Sequence, residues 1–207
     1  MPRDKTAAHE KIVKAAMKEF LTKGFEKASM KAVADEVGMT SAGLYRHFKD
    51  KQDMFSELVK PGIVLVEEWR DRHKQFSYQE MNQESFEKMW DISSGMNDGA
   101  LILDVMYQMP EVFQLIICCS AGTPYENYIH DMVEEATDEM MIFISVCREN
   151  GIKTYDIKRD EMHMLISAYM SALLQPIEHG YSKEDAREYL RTMMDFFTPG
   201  WRMITGL

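Results

Sequence analysis

The sequence predicts an all-α protein, and three observations predict it. Apolar residues recur at i and i+4 through most of the chain, and no segment sustains the period-2 alternation of a half-buried strand. Gly, Pro and Ser punctuate the pattern where helices should stop or start. Ile12, Ala16 and Phe20, with Val13, Met17 and Leu21 beside them, give residues 7–23 a face to bury. Gly24 ends that helix at a C′ position and lets Phe25 fold back on the last turn. Ser29 caps a second helix in which Val33 and Val37 share a face, and Gly38 supplies a left-handed residue in a tight turn. Thr40 caps a short third helix with Leu44 and Phe48 one turn apart. A fourth helix begins after Lys49-Asp50-Lys51, led by Met54, Phe55 and Leu58, and runs to about Lys74; Pro61-Gly62 predicts a kink or a break in it. Further helices are expected over 83–94, 97–108, 111–119, 124–149, 158–178 and 183–204.

At 207 residues the chain can hold one domain or two unequal ones, and 45% hydrophobic with 28% charged residues suits a soluble protein with a real core. The N-terminal stretch has no apolar core of a signal peptide and no run is long enough to span a bilayer, so a cytoplasmic protein without a membrane partner is expected. The net charge of −10 is uneven. Residues 1–51 carry 11 Lys+Arg against 7 Asp+Glu, whereas the remaining 156 carry 13 against 27. A basic head on an acidic body is the asymmetry expected when one end approaches a polyanion.

Two short helices, 29–36 and 40–48, joined by a Gly-containing turn and braced by a preceding helix, follow the helix-turn-helix plan, whose second helix enters the major groove. Leu44 and Phe48 should point into the three-helix core, with Ser41, Ala42, Tyr45 and Arg46 on the opposite side. Ala42 and Gly43 keep the leading turn small. Arg46 can donate two hydrogen bonds to guanine, and Ser41 can pair with several bases. Tyr45, His47 and Lys51 suit phosphates, as does the positive N-terminal end of the fourth helix. The competing reading of the same residues is an ordinary surface helix.

The segment from Lys11 to Phe55, with its first-helix AA…F, the Gly-Phe after it, SMKAVA, VG before the turn and LYRHFKDK, resembles the DNA-binding domain of the tetracycline-repressor (TetR) family of bacterial transcription regulators. The resemblance implies a helix-turn-helix DNA-binding domain over 1–52 and an all-helical effector-binding and dimerisation domain over 53–207. It implies DNA contacts at Ser29, Met30 and Lys31, and at Thr40, Ser41, Ala42, Gly43, Tyr45, Arg46, His47 and Lys51. Gly43 stands where members often carry Thr or Ser, and Met30 where a hydroxyl is common. The function implied is that of a homodimeric repressor, released from a palindromic double-stranded DNA operator by a small apolar or amphipathic effector. The alternatives are a constitutive or activating DNA-binding factor, or an all-helical carrier or enzyme whose basic head is incidental.

One short recognition helix buries too little surface for tight specific binding, so a two-fold dimer is expected. The last two helices are apolar over more than one stripe, which points to Ala168, Ser171, Ala172, Met193, Phe196, Phe197 and Trp201 as its interface; the alternative is a thick monomer core. Fifteen of the nineteen methionines follow residue 52, among aromatic residues, a composition able to line an adaptable pocket. Trp90, Met106, Tyr107, Met109, Phe113, Met140, Met141 and Phe143 are the candidates, each equally readable as plain core. Adjacent Cys118 and Cys119 point about 100° apart on a helix, poor for joint chelation, and read as buried thiols. The histidines are scattered and His163 has no His-x₃-His partner, so no metal site is expected. With no nucleophile elbow, phosphate loop or dinucleotide fingerprint, neither catalytic residues nor a cofactor are expected.

Overall fold

A computed structural model describes residues 5–74, 98–149 and 151–205. Among the described residues there are nine α-helices and no strand: α1 Lys5–Lys27, α2 Met30–Glu36, α3 Ser41–Leu44, α4 Lys51–Lys74, α5 Asp98–Met106, α6 Pro110–Cys118, α7 Tyr128–Glu149, α8 Arg159–Glu178 and α9 Lys183–Thr205. The helix expected over 83–94 and the candidate Trp90 lie outside the described residues. No single described helix is long and apolar enough to cross a membrane.

The chain divides into two compact units, residues 1–65 with 109–127, and residues 66–108 with 128–207. In the first, Ile12, Ala16 and Phe20 of α1 are buried as their spacing requires, with Val33 and Ala34 of α2, Leu44 and Phe48, and Met54, Phe55 and Val59 of α4. The Phe55 ring meets Phe20 edge-on at 5.1 Å and Phe25 at 5.4 Å. Gly24 has φ 71° but ψ 165°, so it kinks α1 with extended rather than helical ψ and brings Phe25 onto Phe20. α6 packs on α1, burying Phe113, Leu115 and Ile116, and the Phe25 N–H donates to the Cys119 carbonyl at 3.0 Å.

Two expectations need correction. α4 continues through Pro61, so of the kink or break expected there the break does not occur. The glycine beside it serves close packing instead: a Cβ on Gly62 would stand 2.7 Å from Val112 Cγ1 and 3.4 Å from Phe113 Cζ. α7 starts at Tyr128, not near residue 124, because Thr123 Oγ1 donates to the Ser120 carbonyl and accepts from the Tyr125 N–H, holding the segment in turns.

In the second unit α7 packs along α8, and α8 along α9. Asp104 of α5 takes ion pairs from Lys183 at 2.9 Å and Arg187 at 2.8 Å, while Tyr107 Oη donates to the Tyr181 carbonyl at 2.9 Å. Ala186, Leu190, Met193, Met194 and Trp201 form the buried stripe of α9.

Candidate nucleic-acid interface

The turn between α2 and α3 is built by local hydrogen bonds. Ser29 Oγ accepts from the Ala32 N–H at 3.4 Å, and Thr40 Oγ1 from the Gly43 N–H at 3.1 Å, each satisfying an orphan donor of a helix start. Gly38, at φ 69°, reverses the chain so that the Met39 N–H reaches the Ala34 carbonyl at 2.8 Å. α3 itself is a single turn, Ser41–Leu44, continued by hydrogen bonds from the N–H groups of Tyr45, Arg46, His47 and Phe48.

That turn has two sides. Leu44 and Phe48 are buried, while Tyr45 is 52% exposed and Ala42 and Arg46 face solvent; Ser41, Gly43 and His47 are half-buried. Around it, Ser29, Lys31 and Thr40 are exposed. Seven candidate contacts are thus at least half-open around one short helix start, and Ser29 and Lys31 open the neighbouring one.

Two candidates are placed differently. Met30 is only 8% exposed, its side chain turned into the core. Lys51 is committed: its ammonium donates to the carbonyls of Phe25, Glu26 and Ala28 at 2.7, 3.0 and 3.2 Å, and sits 4.5 Å over the Phe25 ring. Its three protons satisfy orphan carbonyls at the end of α1. The N-terminus of α4 is likewise taken. Asp50 accepts from the Asp53 N–H at 2.8 Å and Asp53 from the Lys49 N–H at 2.9 Å, a reciprocal cap that puts carboxylates where an anion would sit.

Sequence reasoning missed Glu19. Its buried carboxylate accepts from Lys23 at 2.8 Å and from the Ser29 N–H at 3.1 Å, fixing the entry to α2. Burial alone would raise this carboxyl, but those two hydrogen bonds, together with the charges of Lys23 and Lys18, outweigh it and hold the group below its ordinary 4.5.

The effector candidates within the described residues are shared between the two units. Met109 and Phe113 belong to the first unit; Met106, Tyr107, Met140, Met141 and Phe143 belong to the second. Met106, Phe113 and Phe143 are buried, Met140, Met141 and Tyr107 half-buried, and Met109 exposed. An open groove of about 390 Å³ in the second unit is lined by Tyr181, Asp185, Glu188 and Tyr189, none of them among those candidates. Of the adjacent cysteines, Cys119 is buried and Cys118 exposed, the opposite fates their angular separation allows; burial pushes the Cys119 thiol up.

Of the interface candidates, Ala168, Ser171 and Phe196 are exposed, Ala172 and Phe197 half-buried, and Met193 and Trp201 buried within the protomer. Phe197 and Trp201 pack edge-on against Tyr169 at 5.4 and 6.2 Å.

Comparison with known proteins singles out the same end of the chain. Residues 12–58 match the model of the bacterial regulatory proteins of the tetR family. An uncharacterised HTH-type transcriptional regulator of Bacillus subtilis, YfiR, is 36% identical over 61 residues, 30% of this chain and 29% of its own length. An HTH-type transcriptional regulator of Staphylococcus aureus is 41% identical over 54 residues, 26% of this chain and again 29% of its own length. The chain therefore matches less than a third of these relatives. Over nearly its full length it shares a fold with a Clostridium perfringens protein named for fatty acid metabolism regulation, at TM-score 0.52 and 14% identity, covering 89% of this chain and 97% of that one.

Proposed function

We propose that the chain is a regulator of the tetR family, whose model its residues 12–58 match: a cytoplasmic, homodimeric repressor that holds a palindromic double-stranded DNA operator and leaves it when a small apolar or amphipathic effector binds. The observation that carries this reading is the two-sided turn at α3, with Leu44 and Phe48 buried and Ala42, Tyr45 and Arg46 facing solvent. Such an element fits the major groove. Arg46 meets a guanine edge, Ser41 a neighbouring base, and Ala42 and Gly43 let the backbone come close. Tyr45, His47, Thr40, Ser29 and Lys31 hold phosphates. Lys51 contributes by clamping the end of α1, which sets the approach of α2.

Exposed apolar stripes support the homodimer. Met164, Ala168 and Ser171 line one side of α8, and Phe196 and Met203, 77% and 74% exposed, line one side of α9. A monomer would leave these in water. Effector release then requires only that the ligand bind one arrangement of the dimer better than the other.

The experiment is selection from a random duplex library followed by anisotropy on the enriched duplex. The expected result is a two-fold symmetric sequence whose affinity falls steeply with salt. Arg46→Ala should weaken binding by about 1–3 kcal/mol, roughly fivefold to a hundredfold, with discrimination lost at one base position. Tyr45→Ala should weaken binding without that loss. If no sequence is enriched, or both variants bind like wild type, the reading fails. A thermal-shift screen of apolar compounds tests the effector, since a ligand of the native state alone must stabilise it.

A further inference from the structure

We propose that His130, Glu134 and His163 form a binding site for one divalent transition metal ion of the zinc class, joining α7 to α8. His130 and Glu134 are four residues apart on α7 and so share a face, and His163 reaches them from α8. Glu134 Oε1 lies 3.8 Å from His130 Nε2 and 3.3 Å from His163 Nδ1, and one ligand atom from each of the three residues falls within 4.8 Å of the others. Ligand atoms about 2.1 Å from a tetrahedral metal are about 3.4 Å apart. One pair already has that spacing, and a small rotation of the exposed His130 ring closes the rest.

Two further features support the site. His163 Nδ1 is shut off from solvent and makes no hydrogen bond of good geometry, although the carboxylate is close. A desolvated ring nitrogen left without a good hydrogen bond destabilises the fold, and coordination removes that cost. Glu134 is held in position from behind: its other oxygen, Oε2, accepts from Arg159 at 2.6 Å, and Arg159 in turn pairs with Asp138 at 2.8 Å. Such outer contacts fix a ligand's orientation and, here, leave Oε1 turned towards the imidazoles.

Two imidazoles and one carboxylate suit Zn²⁺, Co²⁺ or Ni²⁺ and not Mg²⁺ or Ca²⁺, which take oxygen shells. The fourth position is left to water. This departs from the expectation of no metal site, because the ligands come from two helices and not from one His-x₃-His turn. It stands independently of DNA binding.

The test uses the untagged full-length protein after dialysis against chelator. Zn²⁺ is titrated against a chromophoric competitor in excess Mg²⁺, and Co²⁺ is followed by its visible absorption bands. The expected result is one Zn²⁺ per chain, undisturbed by Mg²⁺, and a higher melting temperature with the metal bound. His130→Ala and His163→Gln should each lower affinity at least about tenfold and abolish the cobalt bands. Far-ultraviolet dichroism monitors folding, and the exposed His130→Ala decides the matter should His163→Gln unfold. Wild-type affinity retained in His130→Ala overturns the proposal. So does binding that survives the double variant and disappears in Cys118→Ser, which would put the ion on the thiols.

Discussion

Lys51 illustrates how residue type and residue role part company. A lysine after a recognition helix reads as a phosphate contact, yet its three protons are spent on the carbonyls of Phe25, Glu26 and Ala28. Substitution there weakens the fold directly, so Tyr45 and Arg46, which point outward, report on DNA more cleanly. The caps at Ser29 and Thr40 were legible because a hydroxyl before a helix start has one common use. Met30 and Glu19 were not, since their fates depend on which helix passes above them. Glu19 also carries a pH dependence. Its folded value lies below the ordinary 4.5, so between the two values the unfolded chain binds more protons. Its contribution to stability is complete above the ordinary value and is lost as pH falls through the folded one. Urea midpoints measured from roughly pH 6 down to pH 3 should fall less steeply in Glu19→Gln than in wild type. Equal slopes would mean that this carboxylate carries none of the acid sensitivity.

At the scale of the element, helical periodicity located all nine described helices, with starts displaced by at most a few residues except at α7, where the hydroxyl of Thr123 competes for the backbone. Pro61-Gly62 shows the limit of such reasoning. Local chemistry describes the dipeptide as a weakness, whereas its neighbour α6, remote in sequence, makes Gly62 a requirement. Gly62→Ala should gain about 1 kcal/mol of helix propensity yet lose about 1–3 kcal/mol to overpacking against the stiff Val112 side chain. We expect net destabilisation in guanidinium unfolding. Val112→Ala in the same chain should recover the propensity gain, giving a favourable coupling in the double-mutant cycle. A stabilised single variant would show that the two helices part without cost.

At the scale of the whole molecule, the structure sorts the proposed interface residues by exposure more sharply than the proposed effector residues. The interface candidates were chosen from helices apolar nearly all round, and the structure separates their two sides: Met193 and Trp201 inward, Ala168, Ser171 and Phe196 outward. The effector residues were chosen by type alone, and type does not distinguish a pocket wall from filling. Phe196→Asp, at a position 77% exposed, should leave the protomer folded but turn a sedimenting dimer into a monomer. Its affinity for a palindromic duplex should then drop at least about a hundredfold, the advantage that linked binding sites confer. A dimer that persists in this variant moves the contact away from α9.

The embrace of α1 by α6 also bears on how the reading head could be borrowed. Residues 109–127 complete the hydrophobic centre of the head from far downstream, through Phe113, Leu115 and Ile116 and the Phe25–Cys119 backbone link. Cutting the gene after residue 65 would strip that centre of a wall. A chimera that grafts this head onto a foreign body must therefore carry the distant segment with it, or supply a helix of the same shape in its place.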